Sequence, residues 1–275
     1  MRLQAGCELL VEAESDCAVV AMLRPRSGDA QWLASGSYRF DPHVMPTEYV
    51  DAFGNLCQRF VVPRGQMTIR VELEVETEAV LAVATDAPPA PPAALPDDVL
   101  QYLLPSRYCP SDRAVAQAQD IVARAAPGYA QVEAIRSWIH RNIAYRYGES
   151  TASTDAMETL QQRAGVCRDY THVGLMFCRS LQIPARMVVG YLHGLAPMDL
   201  HAWFEAYLDG RWYAFDATQD APRGGRIVVA YGRDAADVAF LTNYGPLQTR
   251  DMQVWVGLKP AANGLPPPPS TPVTS

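Results

Sequence analysis

Residues 68–77, TIRVELEVET, alternate without a break: Ile69, Val71, Leu73 and Val75 against Arg70, Glu72, Glu74 and Glu76. A period of two predicts a strand with one buried and one wetted face. Apolar runs at 7–11, 17–23 and around 60–62 fit the same reading. The clusters Arg24-Pro25-Arg26-Ser27-Gly28-Asp29 and Asp51-Ala52-Phe53-Gly54-Asn55 supply turns between them. Residues 1–85 are therefore expected to form a small antiparallel sandwich or sheet.

The period then changes. Residues 86–96, DAPPAPPAALP, hold five prolines in eleven positions. Proline lacks an amide donor and favours extended backbone, so 86–97 reads as a semi-rigid linker. Ser111 or Asp112 can cap a helix to about 125, which Pro127-Gly128 stops. Val132, Ile135, Trp138 and Ile139 recur at helical spacing and predict a helix over 129–142. Asp155 with Glu158 is a capping-box pair for a short helix ending near Arg163. Gly165 interrupts the chain, a helix is expected over 166–181, and Pro184 precedes strands at 185–192, 200–208 and 211–217. The expected organisation is a β domain (1–85), a linker (86–97), an α+β domain (98–258) and a disordered proline-rich tail (259–275).

Composition narrows the partners. Of 275 residues, 49% are hydrophobic and 19% charged, which suits a sizeable core and rules out wholesale disorder. No apolar run approaches the roughly 18–20 residues of a membrane helix, so no membrane partner is expected. A formal charge of −7 argues against nucleic acid. Cys7, Cys17, Cys57, Cys109, Cys167 and Cys178 are dispersed and form no C-x-x-C pair, unlike a dense disulfide scaffold. Only six residues precede Cys7 in MRLQAGC, too few for the apolar stretch of an export signal. A cytoplasmic location is expected.

The chemistry concentrates in 165–218. In GVCRDYTH (165–172), Cys167 falls in the first turn of a helix behind a glycine. Unpaired amide groups and the positive helix end favour a thiolate there, and the same amides can receive an oxyanion. In LHAWFEAYLDGRWYAFDAT (200–218), Asp209-Gly210 between aromatic runs signals a two-residue hairpin. Pairing Leu208 with Arg211 sets Trp203 opposite Asp216 and His201 opposite Thr218. His201 and Asp216 become diagonal neighbours about 7–8 Å apart at the backbone, within reach of an imidazole and a carboxylate.

GVCRDYTH, IPARMVVGY, LHAWFEAYL and WYAFDAT also follow one another as the core motifs of the transglutaminase-like superfamily do, with His201 34 residues after Cys167 and Asp216 15 after that. Over about residues 98–258 the chain resembles that superfamily. The first domain, with DAFGN at 51–55, resembles the N-terminal β domain of bacterial transglutaminase-like proteins. The resemblance implies an α+β, papain-like core in which a nucleophile helix packs on an antiparallel sheet. It implies Cys167 as nucleophile, His201 as general base and Asp216 as orienting carboxylate. It also implies an aromatic side chain at the oxyanion hole beside the Cys167 N–H, with Tyr145 and Tyr170 as candidates. The acidic calcium loops of animal transglutaminases are not seen.

Other residues read more plainly. His172, five positions after Cys167, and Cys178, eleven after it, are expected in the core. His193 reads as a loop residue, and Asp169 as a helix-end or loop partner. Trp203, Trp212 and Tyr213 read as core or cleft walls. The Cys and His spacings fit no zinc pattern, so neither metal nor cofactor is expected. The resulting expectation is a thioester-forming enzyme acting on peptide or protein amides. Hydrolysis is favoured, with amine transfer or an inert peptide-binding module as alternatives.

Overall fold

The alternation in 68–77 is the middle of a longer strand whose inward side chains are buried, Met67 to Val75, with the glutamates facing out. The structure is a computed structural model and describes residues 1–28 and 31–259; the expected tail, from residue 260 on, lies outside them. The first strands are β1 (Arg2–Ala13), β2 (Cys17–Arg24), β3 (Gln31–Asp41), β4 (Thr47–Val50), β5 (Leu56–Val62) and β6 (Gly65–Thr77). The next region holds helices α1 (Asp97–Leu100), α2 (Val115–Val122), α3 (Tyr129–Asn142), α4 (Ala156–Gln162) and α5 (Cys167–Ser180). Among these helices lie the two-residue strands β7 (Ala144–Tyr145) and β8 (Ala164–Gly165). Then come β9 (Ala185–Leu192), β10 (His201–Leu208), β11 (Arg211–Phe215), β12 (Arg226–Gly232), β13 (Leu241–Asn243) and β14 (Leu247–Leu258).

Two four-stranded sheets, β14-β1-β6-β3 and β13-β2-β5-β4, make the sandwich. Their inner faces bury Leu9, Val11, Val19, Phe60, Ile69 and Val71 in one cluster. Each large apolar side chain so buried stabilises by about 1.5–3 kcal/mol. The expected boundary at 258 needs correction here. β13 and β14 come from the end of the chain yet pair with β2 and β1. β1 has β6 on one edge only, so its other edge needs a second partner, which β14 supplies.

The third four-stranded sheet, β11-β10-β9-β12, is antiparallel throughout. On one face Ala202, Phe204, Met187, Val189 and Phe215 share a core with Val173, Leu175, Met176 and Phe177 of α5. Residues 169–179 of that helix are all buried, which fixes its axis and therefore the place of its first residue. This is the α+β arrangement expected. The helix expected from Ser111 instead begins at Val115, after a 3₁₀ turn over Ser111–Arg113.

The linker is not a free spacer. Ala87 is buried and its carbonyl accepts the Tyr129 N–H at 3.0 Å, while the Pro88 carbonyl accepts the Asp209 N–H at 3.1 Å. Leu95 packs with Val99 and Tyr207. The prolines leave carbonyls free to accept, and the tip of the β10–β11 hairpin uses them.

The DAFGN stretch joins the two parts. Asp51 caps the Phe53 and Asn55 amides at 2.9 and 2.8 Å and orients the Asn55 carboxamide. Asn55 then exchanges two hydrogen bonds with the Tyr231 backbone, at 2.7 and 2.8 Å, and Gln31 does the same with Val228, at 2.8 and 2.7 Å. Two side-chain amides thus take the place of a neighbouring strand along the edge of β12. A cavity of about 840 Å³ lies at this junction, lined by Gln31, Asn55, Arg186, Trp212 and Tyr231 among others. Cys167, His201 and Asp216 do not line it.

Candidate active site

Cys167 is the first residue of α5. Val166 before it is extended, and Asp169 turns its carboxylate back so that Oδ2 accepts the Val166 N–H at 2.8 Å. Oδ1 pairs with the Arg168 guanidinium at 3.1 Å, and Arg168 also donates to the Thr151 carbonyl at 2.6 Å. Asp169 is wholly buried and its charge is matched on the spot, so it is a helix-end partner, as its sequence position suggests. Gly165 is required by this packing, because a Cβ there would stand 2.7 Å from both the Cβ and Oδ2 of Asp169.

Tyr145 reaches the same point by another route. β7 and β8 pair in parallel and set Tyr145 beside Gly165, and the Arg146 N–H donates to the Gly165 carbonyl at 2.9 Å. The phenol thereby meets Cys167. Burial, the charge of a Cys167 thiolate and Tyr147 push its pKa well above the ordinary value, and a hydrogen bond with the Cys167 backbone opposes them. A phenol held neutral in this way can donate a hydrogen bond. Tyr170, the other aromatic candidate, is not brought to the sulfur. Its hydroxyl is committed to the Ile143 carbonyl, and its ring backs Tyr145 at 5.8 Å between centroids.

The hairpin register is the expected one, from Leu208 opposite Arg211 to Phe204 opposite Phe215. β11 then ends, and Asp216 leaves the ladder. His201 Nε2 and Asp216 Oδ2 stand 2.7 Å apart, with 1% and 6% of the two residues exposed. Asp216 Oδ1 accepts the Thr218 N–H at 3.0 Å and its hydroxyl at 2.7 Å, and Oδ2 also takes Arg226 Nη2 at 2.9 Å. Burial alone would raise the carboxyl pKa, but His201, Arg226 and Thr218 hold it well below the usual carboxylate range.

Burial also pushes the His201 imidazole down. The charge and hydrogen bond of Asp216, followed by Cys167, outweigh it and raise the ring to about 9. These partners favour the protonated ring. Nε2 is committed to Asp216, while Nδ1 is buried and makes no hydrogen bond of ordinary geometry. The Cys167 side chain lies close enough for its charge to act on the ring. Trp203 walls the pair, its ring 6.1 Å from that of His201.

The remaining candidates lie elsewhere. All six cysteines are free, and Cys167 is the one that is not buried. Burial pushes the thiols of Cys109 and Cys178 up to about 12. His172 is buried, stacks on Tyr108 at 4.9 Å, and accepts the Ala235 N–H at 3.2 Å. His193 lies in the loop after β9, where its carbonyl takes Arg223 at 3.0 Å. Thr218 and Arg226 were not legible as site residues. A faint signal for Arg226 is its place at the head of an otherwise apolar strand, RIVVAYG.

A cysteine at a helix start beside a buried histidine–carboxylate pair on an antiparallel sheet is a papain-like thiol arrangement. The chain belongs to the transglutaminase-like superfamily. Residues 115–217 match the family described as transglutaminase-like superfamily, and residues 12–78 match the bacterial transglutaminase-like N-terminal region. A crystal structure called "a Putative Cysteine Protease from Cytophaga hutchinsonii" is 31% identical with a TM-score of 0.88, covering 94% of this chain and 90% of that one. An uncharacterized protein of Mycobacterium leprae is 28% identical over 232 residues, 80% of this chain and 83% of that protein. An uncharacterized protein of Mycobacterium tuberculosis is 31% identical over 162 residues, 54% of this chain and 47% of that protein, so the match spans about half of that relative. Among the described residues no helix is long and apolar enough to cross a membrane.

Proposed function

We propose that the protein is a cysteine-dependent acyl-transfer enzyme that hydrolyses amide bonds in peptides or proteins. The observation that carries this reading is the buried His201–Asp216 pair, 2.7 Å apart, with the half-buried Cys167 close enough to raise the ring. In the first step the Cys167 sulfur attacks the amide carbon. A C–S bond forms and the π pair moves to oxygen. The Cys167 N–H and the Tyr145 hydroxyl face that oxyanion. When the C=O bond re-forms, the C–N bond breaks, and the amine leaves with the proton that His201 carried. Water then attacks the thioester and His201 takes its proton, which releases a carboxylic acid and restores the thiolate. Likeness to a protein named as a cysteine protease supports water as the acceptor. Six free cysteines, five of them buried, suit a reducing compartment such as the cytoplasm.

The test is a peptide library incubated with and without a primary amine and read by mass. Cleaved or deamidated peptides that disappear with Cys167→Ala support the proposal. Amine adducts in place of hydrolysis would make the protein a transferase, and no product under any condition would contradict acyl transfer altogether.

A further inference from the structure

Arg226 heads β12 and is 5% exposed. Its Nη2 donates to Asp216 Oδ2 at 2.9 Å, the same oxygen that stands 2.7 Å from His201 Nε2. Its Nε donates to the Arg223 carbonyl at 3.0 Å, and its guanidinium lies 4.8 Å over the ring of Trp203. The backbone on this stretch is held by the first domain. The Thr77 hydroxyl donates to the Arg226 carbonyl at 2.7 Å, and the Gly225 N–H donates to the Glu78 carbonyl at 2.9 Å.

Charge explains why an arginine belongs there. With Cys167 as thiolate and His201 as imidazolium, Asp216 leaves the buried cluster one negative charge in excess, and an isolated buried charge is costly. Arg226 makes the cluster neutral. It also binds the same carboxylate oxygen as the ring while Thr218 holds the other, so that Asp216 has one orientation in which to receive Nε2.

We propose that Arg226 is a positioning residue for the His201–Asp216 pair, one that also sets the pH range over which Cys167 and His201 share their proton. The inference rests on the acyl-transfer reading above. The titratable or charged groups facing the pair are Cys167 on α5, Tyr145 beside that cysteine, Asp199 in the loop before β10, and Arg226 on β12. Tyr145 stays neutral, and burial raises the Asp199 carboxyl. Loss of a nearby cation raises the pKa of the groups that feel it, Asp216 directly and the ring through Asp216, by on the order of one unit.

The experiment measures the rate of Cys167 carbamidomethylation by iodoacetamide from pH 4 to pH 10, site by site by mass, in the full chain. Arg226→Gln removes the charge while keeping a donor toward Asp216 and packing over Trp203. Both limbs of its profile are expected to move to higher pH by about one unit, and Arg226→Lys is expected to return them to the wild-type positions. Limbs unmoved in Arg226→Gln, even with a lowered Tm, would make Arg226 merely structural and overturn the proposal. If Arg226→Gln gives no folded protein, Arg226→Lys decides. Limbs that coincide with wild type support the proposal, and displaced limbs overturn it. A wild-type profile with no reactive thiolate in the acid range would sink the acyl-transfer reading itself, and this inference with it.

Discussion

Tyr145 stands opposite Gly165 in a parallel bridge of two residues, which sets its hydroxyl against the backbone of Cys167. Tyr170, whose ring touches it, spends its own hydroxyl on the Ile143 carbonyl. The two tyrosines should therefore separate cleanly. Tyr145→Phe is expected to lower kcat by about 10-fold or more with little change in KM, as loss of an oxyanion donor does. Tyr170→Phe is expected to leave kcat alone and lower stability by about 1–2 kcal/mol, because a buried carbonyl loses its donor. Steady-state kinetics and urea unfolding on both variants check this, and the reverse pattern would exchange their roles.

Asp216 Oδ2 stands 2.7 Å from His201 Nε2, which in the proposed mechanism leaves Nδ1 to exchange the proton with Cys167. Asp216→Asn keeps the shape but loses the charge that holds the imidazolium. A fall in kcat on the order of 10³-fold or more is expected, together with a lower Tm, since Arg226 then stays buried without its counter-ion. Retention of a tenth of wild-type turnover would mean that the carboxylate does not orient the ring.

Gly165→Ala probes the helix start. The added methyl would meet a buried Asp169 side chain that has no room to withdraw. A stability loss of about 1–3 kcal/mol is expected from the overpacking. Iodoacetamide labelling of Cys167 should slow in the same variant, because the cap that seats the cysteine is displaced. A stable variant with normal labelling would show that the contact is slack.

Stability should depend on pH in opposite senses at two histidines. Burial, then the charges of Arg168 and Arg179, depress His172 to about 3. An unfolded histidine titrates near 6.5, so the unfolded chain protonates first as pH falls. The His172 contribution is full above about pH 6.5 and is lost progressively toward pH 3. His201 is raised to about 9, so its contribution is full below about pH 6.5 and is lost as pH rises through 9. Urea unfolding across this range is expected to give a maximum near pH 6.5. His172→Gln should flatten the acid side, and Asp216→Asn the alkaline side. If both variants keep the wild-type curve, other groups control it.

The hairpin, the helix that begins at Cys167 and the His201–Asp216 pair were legible because each rests on a local pattern. Asp209 and Gly210 both adopt positive φ, 47° and 78°, as the two-residue turn demands, and that turn fixed the register as far as Phe215. Asp155 caps α4 for the same kind of reason. What escaped depends on partners far along the chain. No strand was expected over β14, which forms one against the edge that β1 offers, and Asn55 looks like a turn residue until β12 offers an edge. Arg226 stands out only as the head of an apolar strand, and nothing in that pattern points to the aspartate ten residues earlier that its guanidinium meets. The closing of the sandwich by β14 has its own consequence. A fragment of residues 98–258 would carry that strand without β1, and it is expected to aggregate in size-exclusion chromatography where the full chain does not.

The most direct test of the central claim is site-resolved labelling by iodoacetamide at pH 6, comparing wild type with His201→Ala. Cys167 is expected to react well before the other five cysteines in the wild type, and to lose that advantage once the imidazole is gone. Equal Cys167 rates in the two proteins would contradict the pairing of that sulfur with that ring.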